Sequence, residues 1–277
     1  MPALTLHLLT LSPTITATDF LASLKRAAST RIVVASLPRH VVISPTTLDK
    51  SPLLDTNWDI LLLLRPPNPR EPLFPPALAS HIKSEYKINV GIPSRLLQSY
   101  PERDEKLKRE ARAGVPLTGS LDNLKNAPSD SQNLEVSGEL FKFMEEFSKK
   151  HGENKPVTML NLLHFHEKGG KEAYYKYGQG FSPVAAKRGG NAKLVGNVIK
   201  PGPEKENADS RGSSDRAPQT WWNEISIVHY PSIRHFCDML ASDDYQEVNR
   251  RHRLGALKDT FLLCTTEGDL DGEAAKL

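Results

Sequence analysis

The 277-residue chain has only two cysteines, Cys237 and Cys264. Both lie in apolar contexts, which argues against a disulfide framework or a cysteine-based zinc centre and predicts a buried, reduced thiol at each position. No apolar run approaches the roughly 20 residues of a membrane-spanning helix. The N-terminus also lacks the basic region, apolar block and small-residue cleavage site of a signal peptide. Charge of one sign is missing too: 36 Lys and Arg stand against 33 Asp and Glu, a formal net charge of +3. The bases are scattered among the acids, so there is no electrostatic footprint for nucleic acid. Gly169-Gly170 and Gly189-Gly190 lack the strand-to-helix spacing of a phosphate loop, which argues against a nucleotide cofactor, and no Gly-x-Ser-x-Gly nucleophile turn occurs. These absences predict an intracellular protein without membrane or nucleic-acid partners. It would be cytoplasmic, or peroxisomal if the terminal Ala275-Lys276-Leu277, a near match to the Ser-Lys-Leu address, is read.

What is present centres on residues 221–253. Asn223 to Tyr230 alternate in polarity, with Ile225 and Ile227 on one face and Glu224 and Ser226 on the other, the period of a strand. After Pro231 the period becomes helical, because Ile233, Phe236, Cys237 and Leu240 share a side. Ser242 is placed to cap a further short helix, with Asp243 and Asp244 in its first turn. Upstream, residues 155–166 read as a strand, 170–188 as a helix burying Tyr174, Tyr177, Phe181, Val184 and Ala185, and 192–199 as a strand. Asp259 to Thr266 closes the set. The order is βαββαβ, a ferredoxin-like unit.

Residues 3–11, 19–28, 31–44, 58–64, 77–83 and 87–93 give the same order again. Thr18 is the candidate cap of the first helix, and Pro38 is expected to break the second strand. Pairing the third strands without gaps sets Pro66 against Pro231, so that Ile60 faces Ile225 and Leu62 faces Ile227, a weak internal repeat with a decayed first copy. The predicted fold class is therefore α+β: two tandem ferredoxin-like βαββαβ units forming an intramolecular α+β barrel. The predicted divisions are a degenerate unit at 1–100, a charged and flexible linker at 101–136, and a second unit at 137–277. Within the latter a helix opens at Ser137 or Gly138, with Leu140, Phe141, Met144 and Phe147 as its apolar stripe. Residues 200–219 carry no periodic apolar positions and read as a hairpin loop.

Four ordered blocks in the second half carry a family resemblance: MLNLLHF at Met159 to Phe165, GGKEAYYKY at Gly169 to Tyr177, the strand ending HYPS at His229 to Ser232, and MLASDDYQEVNRRHRLGALKDTFLL at Met239 to Leu263. They resemble the domain-of-unknown-function 1330 family. That resemblance implies the dimeric α+β barrel superfamily, whose members include haem-degrading monooxygenases, cofactor-independent oxygenases, polyketide cyclases and muconolactone isomerases. The extra first half makes a monomer possible beside the usual homodimer.

The candidate chemistry lies on the strands of the second half. Asn161, Glu224 and Ser226 form a polar set expected to face the barrel, with His164, His166 and His229 near strand ends. A carboxylate in an otherwise apolar strand has its pKa raised by burial toward the range of a general base, unless it pairs with Lys193 or Arg253. Glu224, His229 and His164 are thus the candidate catalytic residues. Asn161, Ser226, Tyr177, Tyr230 and Arg253 are the candidate substrate-binding residues, Arg253 either through a substrate carboxylate or tied to Asp243 or Asp244. His164 and His166 share a strand face without a third ligand at matching spacing, so no metal is assigned. No cofactor is expected, with haem, held for instance by His229, as the alternative. The function expected is that of an enzyme acting on an apolar, carbonyl-bearing, polyketide- or aromatic-like small molecule by proton transfer or cofactor-free oxygen chemistry. A non-catalytic binding protein and a haem-dependent monooxygenase are the other classes.

Overall fold

The structure is a computed structural model that describes residues 2–27, 30–66, 72–124, 127–199 and 221–267. The expected hairpin loop and the Ala275-Lys276-Leu277 terminus fall outside the described residues.

In chain order the elements of the first half are β1 (Ala3–Leu11), α1 (Ala17–Ala27), β2 (Arg31–Ile43), α2 (Ser51–Leu54), β3 (Ile60–Arg65), α3 (Pro76–Ala79) and β4 (Ile82–Gly91). Then follow α4 (Ser94–Ala113), α5 (Gly138–His151), β5 (Val157–Phe165), α6 (Gly170–Ala186), β6 (Asn191–Val198), β7 (Glu224–Tyr230), α7 (Ile233–Leu240), α8 (Asp243–Val248) and β8 (Leu257–Thr266). The strands close into one barrel in the order β1-β3-β2-β8-β5-β7-β6-β4. Each half contributes four neighbours in the same relative order, fourth-first-third-second, so the two predicted βαββαβ units form one intramolecular α+β barrel.

Period-two alternation sorts the side chains. Leu160, Leu162, Ile225, Ile227, Phe261 and Leu263 point inward and pack against Leu4, Leu6, Leu8, Leu61 and Leu63 of the other half. The opposite face of the second half, with Met159, Val228, Tyr230 and Leu262, packs under α5, α6, α7 and α8. The opposite face of the first half, with Leu9, Ile60, Leu62 and Leu64, is filled by Phe20, Leu21 and Leu24 of α1. Across the interior, Trp222 donates its indole N–H to the Tyr86 hydroxyl at 2.9 Å.

This sorting corrects the repeat register. Leu61 and Leu63, not Ile60 and Leu62, share the interior with Ile225 and Ile227. The two third strands align one residue away from the proline-to-proline pairing, and a slip of one residue exchanges the faces. Ile60 and Leu62 are therefore the first-half equivalents of Glu224 and Ser226. His7 pairs with Leu62 as Asn161 pairs with Ser226, which makes His7 the equivalent of Asn161.

Local expectations change as well. Strand β2 runs through Pro38, because the strand exchanges partners there: its first part pairs with β3 and residues from Leu37 onward pair with β8, with a bulge between Pro38 and His40. A proline is tolerated where a ladder is interrupted. Thr16, not Thr18, caps α1, its hydroxyl accepting from the Asp19 N–H at 3.1 Å. Phe141 is 41% exposed and lies off the buried stripe of α5. Ser242 bonds the Met239 carbonyl instead of capping α8.

The charged run that begins at Arg103 lies within α4, where Asp104 is buried. Its carboxylate accepts from the Lys193 ammonium at 2.6 Å and from Lys108 at 2.7 Å. Lys193 also reaches Glu267 at 2.6 Å, and Glu267 accepts from Thr158 at 2.9 Å. The network ties α4 to the barrel end through a lysine that is 0% exposed. Burial alone would raise the Asp104 pKa, but the two ammonium groups outweigh it and hold the carboxyl below the usual range. That contribution is present above the ordinary carboxylate pKa and lost as pH falls through the depressed value. Lys193→Met, which leaves two buried carboxylates sharing Lys108 as their remaining cation, is expected to lower the unfolding free energy by about 3 kcal/mol in urea titration. Adding Asp104→Asn and Glu267→Gln to it should recover much of that loss.

Candidate functional site

A cavity of about 350 Å³ lies between the outer face of the second sheet and the helices above it. Its floor is made by Met159 and Asn161 of β5, Ala192 and Val195 of β6, Glu224, Ser226, Val228 and Tyr230 of β7, and Leu262 of β8. Its roof is the face of α6 that carries Lys171, Tyr174, Tyr175, Gly178 and Phe181, spacings of three, one, three and three that share one side of a helix. Phe236 and Met239 of α7 and Tyr245 of α8 close one side. The expected polar set thus meets in one place, but on the helix side of the sheet. The barrel interior, the location expected for a ligand, is filled by side chains from both halves, as an eight-stranded barrel permits.

Asn161 and Ser226 are direct cross-strand partners. Glu224 lies two residues from Ser226 on the same face, so the three polar side chains stand side by side on an apolar floor. Among the described residues the Glu224 carboxylate has neither an ion pair nor a hydrogen bond. Lys193 is engaged by Asp104 and Glu267, and the Lys171 ammonium donates to the Asn197 side chain at 3.1 Å. Burial raises the Glu224 pKa to about 7, with the positive charge of Lys171 opposing the rise. A carboxylate near half-ionisation at neutral pH, with free lone pairs and an aromatic cavity before it, is a competent proton acceptor.

The remaining lining is aromatic. Phe165, Tyr174, Tyr177 and Phe181 form a ladder with ring centroids 5.3, 5.1 and 5.6 Å apart in succession. The Tyr177 and Tyr245 hydroxyls are 3.2 Å apart, and the Tyr230 hydroxyl donates to the Met239 sulfur at 3.6 Å. Burial pushes the pKa of each of these tyrosines up, which keeps them protonated donors. Tyr177 and Tyr230 line the cavity, while Arg253, outside its lining, is 3% exposed and its charge acts on Tyr174, Tyr177 and Tyr245. Of the two acids expected as alternative partners of Arg253, Asp244 is used elsewhere: it meets Lys187 at 3.0 Å and Arg188 at 3.3 Å.

The two histidines read as catalytic lie apart from the cavity. His164 falls on the opposite face of β5 from Asn161, and its Nδ1 bonds the Trp221 carbonyl at 2.6 Å. His229 falls on the opposite face of β7 from Glu224 and lines a separate hollow with Lys108, Arg112 and Thr158. Burial, aided by the Lys193 charge, lowers its pKa to about 3, so it is neutral at physiological pH. The cavity therefore does not fit a haem held by His229. His166 is exposed, and no cluster of three His, Cys, Asp or Glu able to hold a metal occurs among the described residues. Both cysteines are buried and free.

No protein-family profile matches the chain. No curated protein matches it either. Among solved structures, a protein of unknown function from Rhodopseudomonas palustris aligns at 25% identity and a TM-score of 0.35, over 47% of this chain and 93% of that one. An anthrone oxidase-like protein aligns at 9% identity and a TM-score of 0.40, over 95% and 90%. A chlorite dismutase mutant from Candidatus Nitrospira defluvii aligns at 10% identity and 0.41, over 97% and 92%. The barrel architecture rests on the strand order itself, and the site rests on its own residues.

Sequence reading missed Lys171, Gly178 and Tyr245, and took Tyr174 as a buried residue of its helix. The signal was available in the helical spacing of Lys171, Tyr174 and Gly178, once the sheet face beneath α6 is known. A titration test follows from Glu224. Because its pKa rises from 4.5 in the free side chain to about 7 when folded, the native state binds the extra proton, and stability falls as pH rises through that window. Glu224→Gln is expected to flatten the fall between those pH values, read by thermal or urea unfolding at several pH values.

Proposed function

We propose that the protein is an enzyme that binds a small, largely apolar, carbonyl-bearing molecule of aromatic or polyketide-like shape under α6 and removes a proton from it with Glu224. The observation that carries this reading is the unpartnered carboxylate of Glu224, raised to about 7, in a cavity walled by tyrosine and phenylalanine. The Asn161 and Ser226 side chains beside it supply an amide and a hydroxyl to orient a substrate carbonyl, while the ring ladder accepts a flat hydrocarbon body. In the proton-transfer step the substrate C–H or O–H bond breaks, the proton joins a Glu224 oxygen, and the electron pair stays on the substrate as an enolate or phenolate. That step is common to isomerisation, cyclisation and cofactor-free oxygenation, so it is the one to measure.

With 2-tetralone as test ketone in D2O, the protein is expected to accelerate deuterium entry at the carbon next to the carbonyl, followed by NMR. Glu224→Gln should reduce that acceleration about 10²-fold or more while leaving ketone binding in place. Binding without exchange, in the wild type, would replace the enzyme by a carrier.

The roof gives a second test. Gly178 is an exposed residue of the cavity lining, and a Cβ added there meets nothing within 4 Å. Gly178→Ala should stabilise α6 by up to about 1 kcal/mol. Gly178→Leu should keep the fold while weakening binding of bicyclic ketones more than that of single-ring ones, as read by calorimetry.

A further inference from the structure

The cavity has a second polar end, built by residues that the proton-transfer step above does not use. Tyr177 and Tyr245 are 6% and 0% exposed, both line the cavity, and their hydroxyl oxygens are 3.2 Å apart. In such a pair one hydroxyl donates and the other accepts, so the accepting one keeps a proton to give to a third group. Among the described residues neither hydroxyl has another hydrogen-bond partner. Tyr230, the neighbouring ring, has already given its proton to the Met239 sulfur.

Arg253, outside the cavity lining, is buried close enough for its charge to act on both tyrosines of the pair. It ends a five-residue π-helical turn, Asn249–Arg253, that follows α8. An inserted π turn rotates the residues after it, and such turns recur where a side chain must be re-aimed. The guanidinium is 3% exposed, and its one side-chain hydrogen bond among the described residues is a weak contact of 3.5 Å to the Thr260 hydroxyl. No carboxylate lies within 4 Å of it among the described residues. Burying a permanent cation without a counter-ion costs free energy, and the expense is recovered when an anion forms nearby. The charge of Arg253 already acts on Tyr174, Tyr177 and Tyr245, three of the rings that line the cavity. Glu224 also faces Tyr174 from β7.

Building on Glu224 as the base, we propose that the Tyr177–Tyr245 hydroxyl pair, backed by Arg253, is the oxyanion-holding end of the cavity. The substrates that fit are those whose electron pair, once Glu224 has taken the proton, comes to rest on an oxygen: phenols, enols, and ketones with an acidic neighbouring C–H. In the ketone case the C–H bond breaks, the C=O becomes C–O⁻, a C=C bond forms, and the tyrosine O–H donates to the new oxyanion. The tyrosines would then be catalytic residues, and Arg253 a positioning residue that acts through them. Preorganised donors aimed at a developing charge are the usual route to stabilising it.

The probe for a test is 4-nitrophenol, whose phenolate absorbs in the visible, titrated while bound. A Glu224→Gln background removes the competing carboxylate. In that background the bound probe is expected to ionise about one pH unit higher after Tyr177→Phe plus Tyr245→Phe, and again after Arg253→Met, a tenfold loss of preference for the phenolate over the phenol. A merely structural role for Arg253 would not move the ionisation of a bound dye. If the probe binds and its midpoint is the same in all variants, the oxyanion assignment is wrong while the cavity and its base stand. If the Glu224→Gln protein binds no probe at any pH, the cavity reading falls, and this one with it. Should Arg253→Met fail to fold, as checked by thermal unfolding, the tyrosine double variant decides.

Discussion

Two four-stranded sheets, each with a row of leucine, isoleucine and valine on its inner face, must bury those rows in one another. Leu160, Leu162, Ile225 and Ile227 are all within 1% of full burial, as are Leu4, Leu6 and Leu8 opposite them. Neither half could present that surface to water alone. The barrel interior that results has room for these side chains and little else. With the inner faces committed, strand alternation sends every second residue outward, and the outward face of the second half is where Asn161, Ser226 and Glu224 meet the cavity under α6. The position of the site is thus a consequence of how the core closes.

The equivalence of the halves shows how one sheet came to face a cavity and the other a packed layer. Where the second half has Asn161, Ser226 and Glu224 under α6, the first has His7, Leu62 and Ile60. Ile60 and Leu62 pack directly on α1, so that space is solid. His7 remains as a polar residue at the matching place, bonded to Glu85 at 2.6 Å, its pKa lowered by burial, with an edge-on contact to Phe74. The difference between a packed layer and a cavity lies in a few outward positions on three strands.

Much of this was legible in the sequence. The βαββαβ order of each half, the closed barrel and the grouping of Asn161, Ser226 and Glu224 on one face all follow from periodicities of two and 3.6. What alternation cannot say is which of a strand's two faces is inner, because both Ile225/Ile227 and Glu224/Ser226 obey the same period. Alternation therefore groups the trio correctly yet leaves it on the barrel side. The repeat register fails likewise: β3 is apolar on both faces, so nothing in Ile60 to Leu64 distinguishes a slip of one residue. His164 and His229 draw attention as histidines at strand ends, and parity places both on the faces opposite the polar trio. Lys171, Gly178 and the π turn at Arg253 were illegible for a different reason. Their meaning depends on which helix face lies over the sheet, a tertiary fact.

The two seams that join the halves are unequal. Among the described residues β2 and β8 pair along five positions from Leu37 to Ile43, while β4 and β6 pair at two, Val90 with Val198 and Gly91 with Asn197, and the Ile199 N–H reaches the Asn89 carbonyl at 2.8 Å just beyond them. Asn197, at that short seam, is also the residue opposite Glu224 and the anchor of the Lys171 ammonium. One residue, Asn197, thus joins the two halves of the barrel and holds a lysine at the cavity's edge, so the seam of the fold and the rim of the cavity meet in a single position.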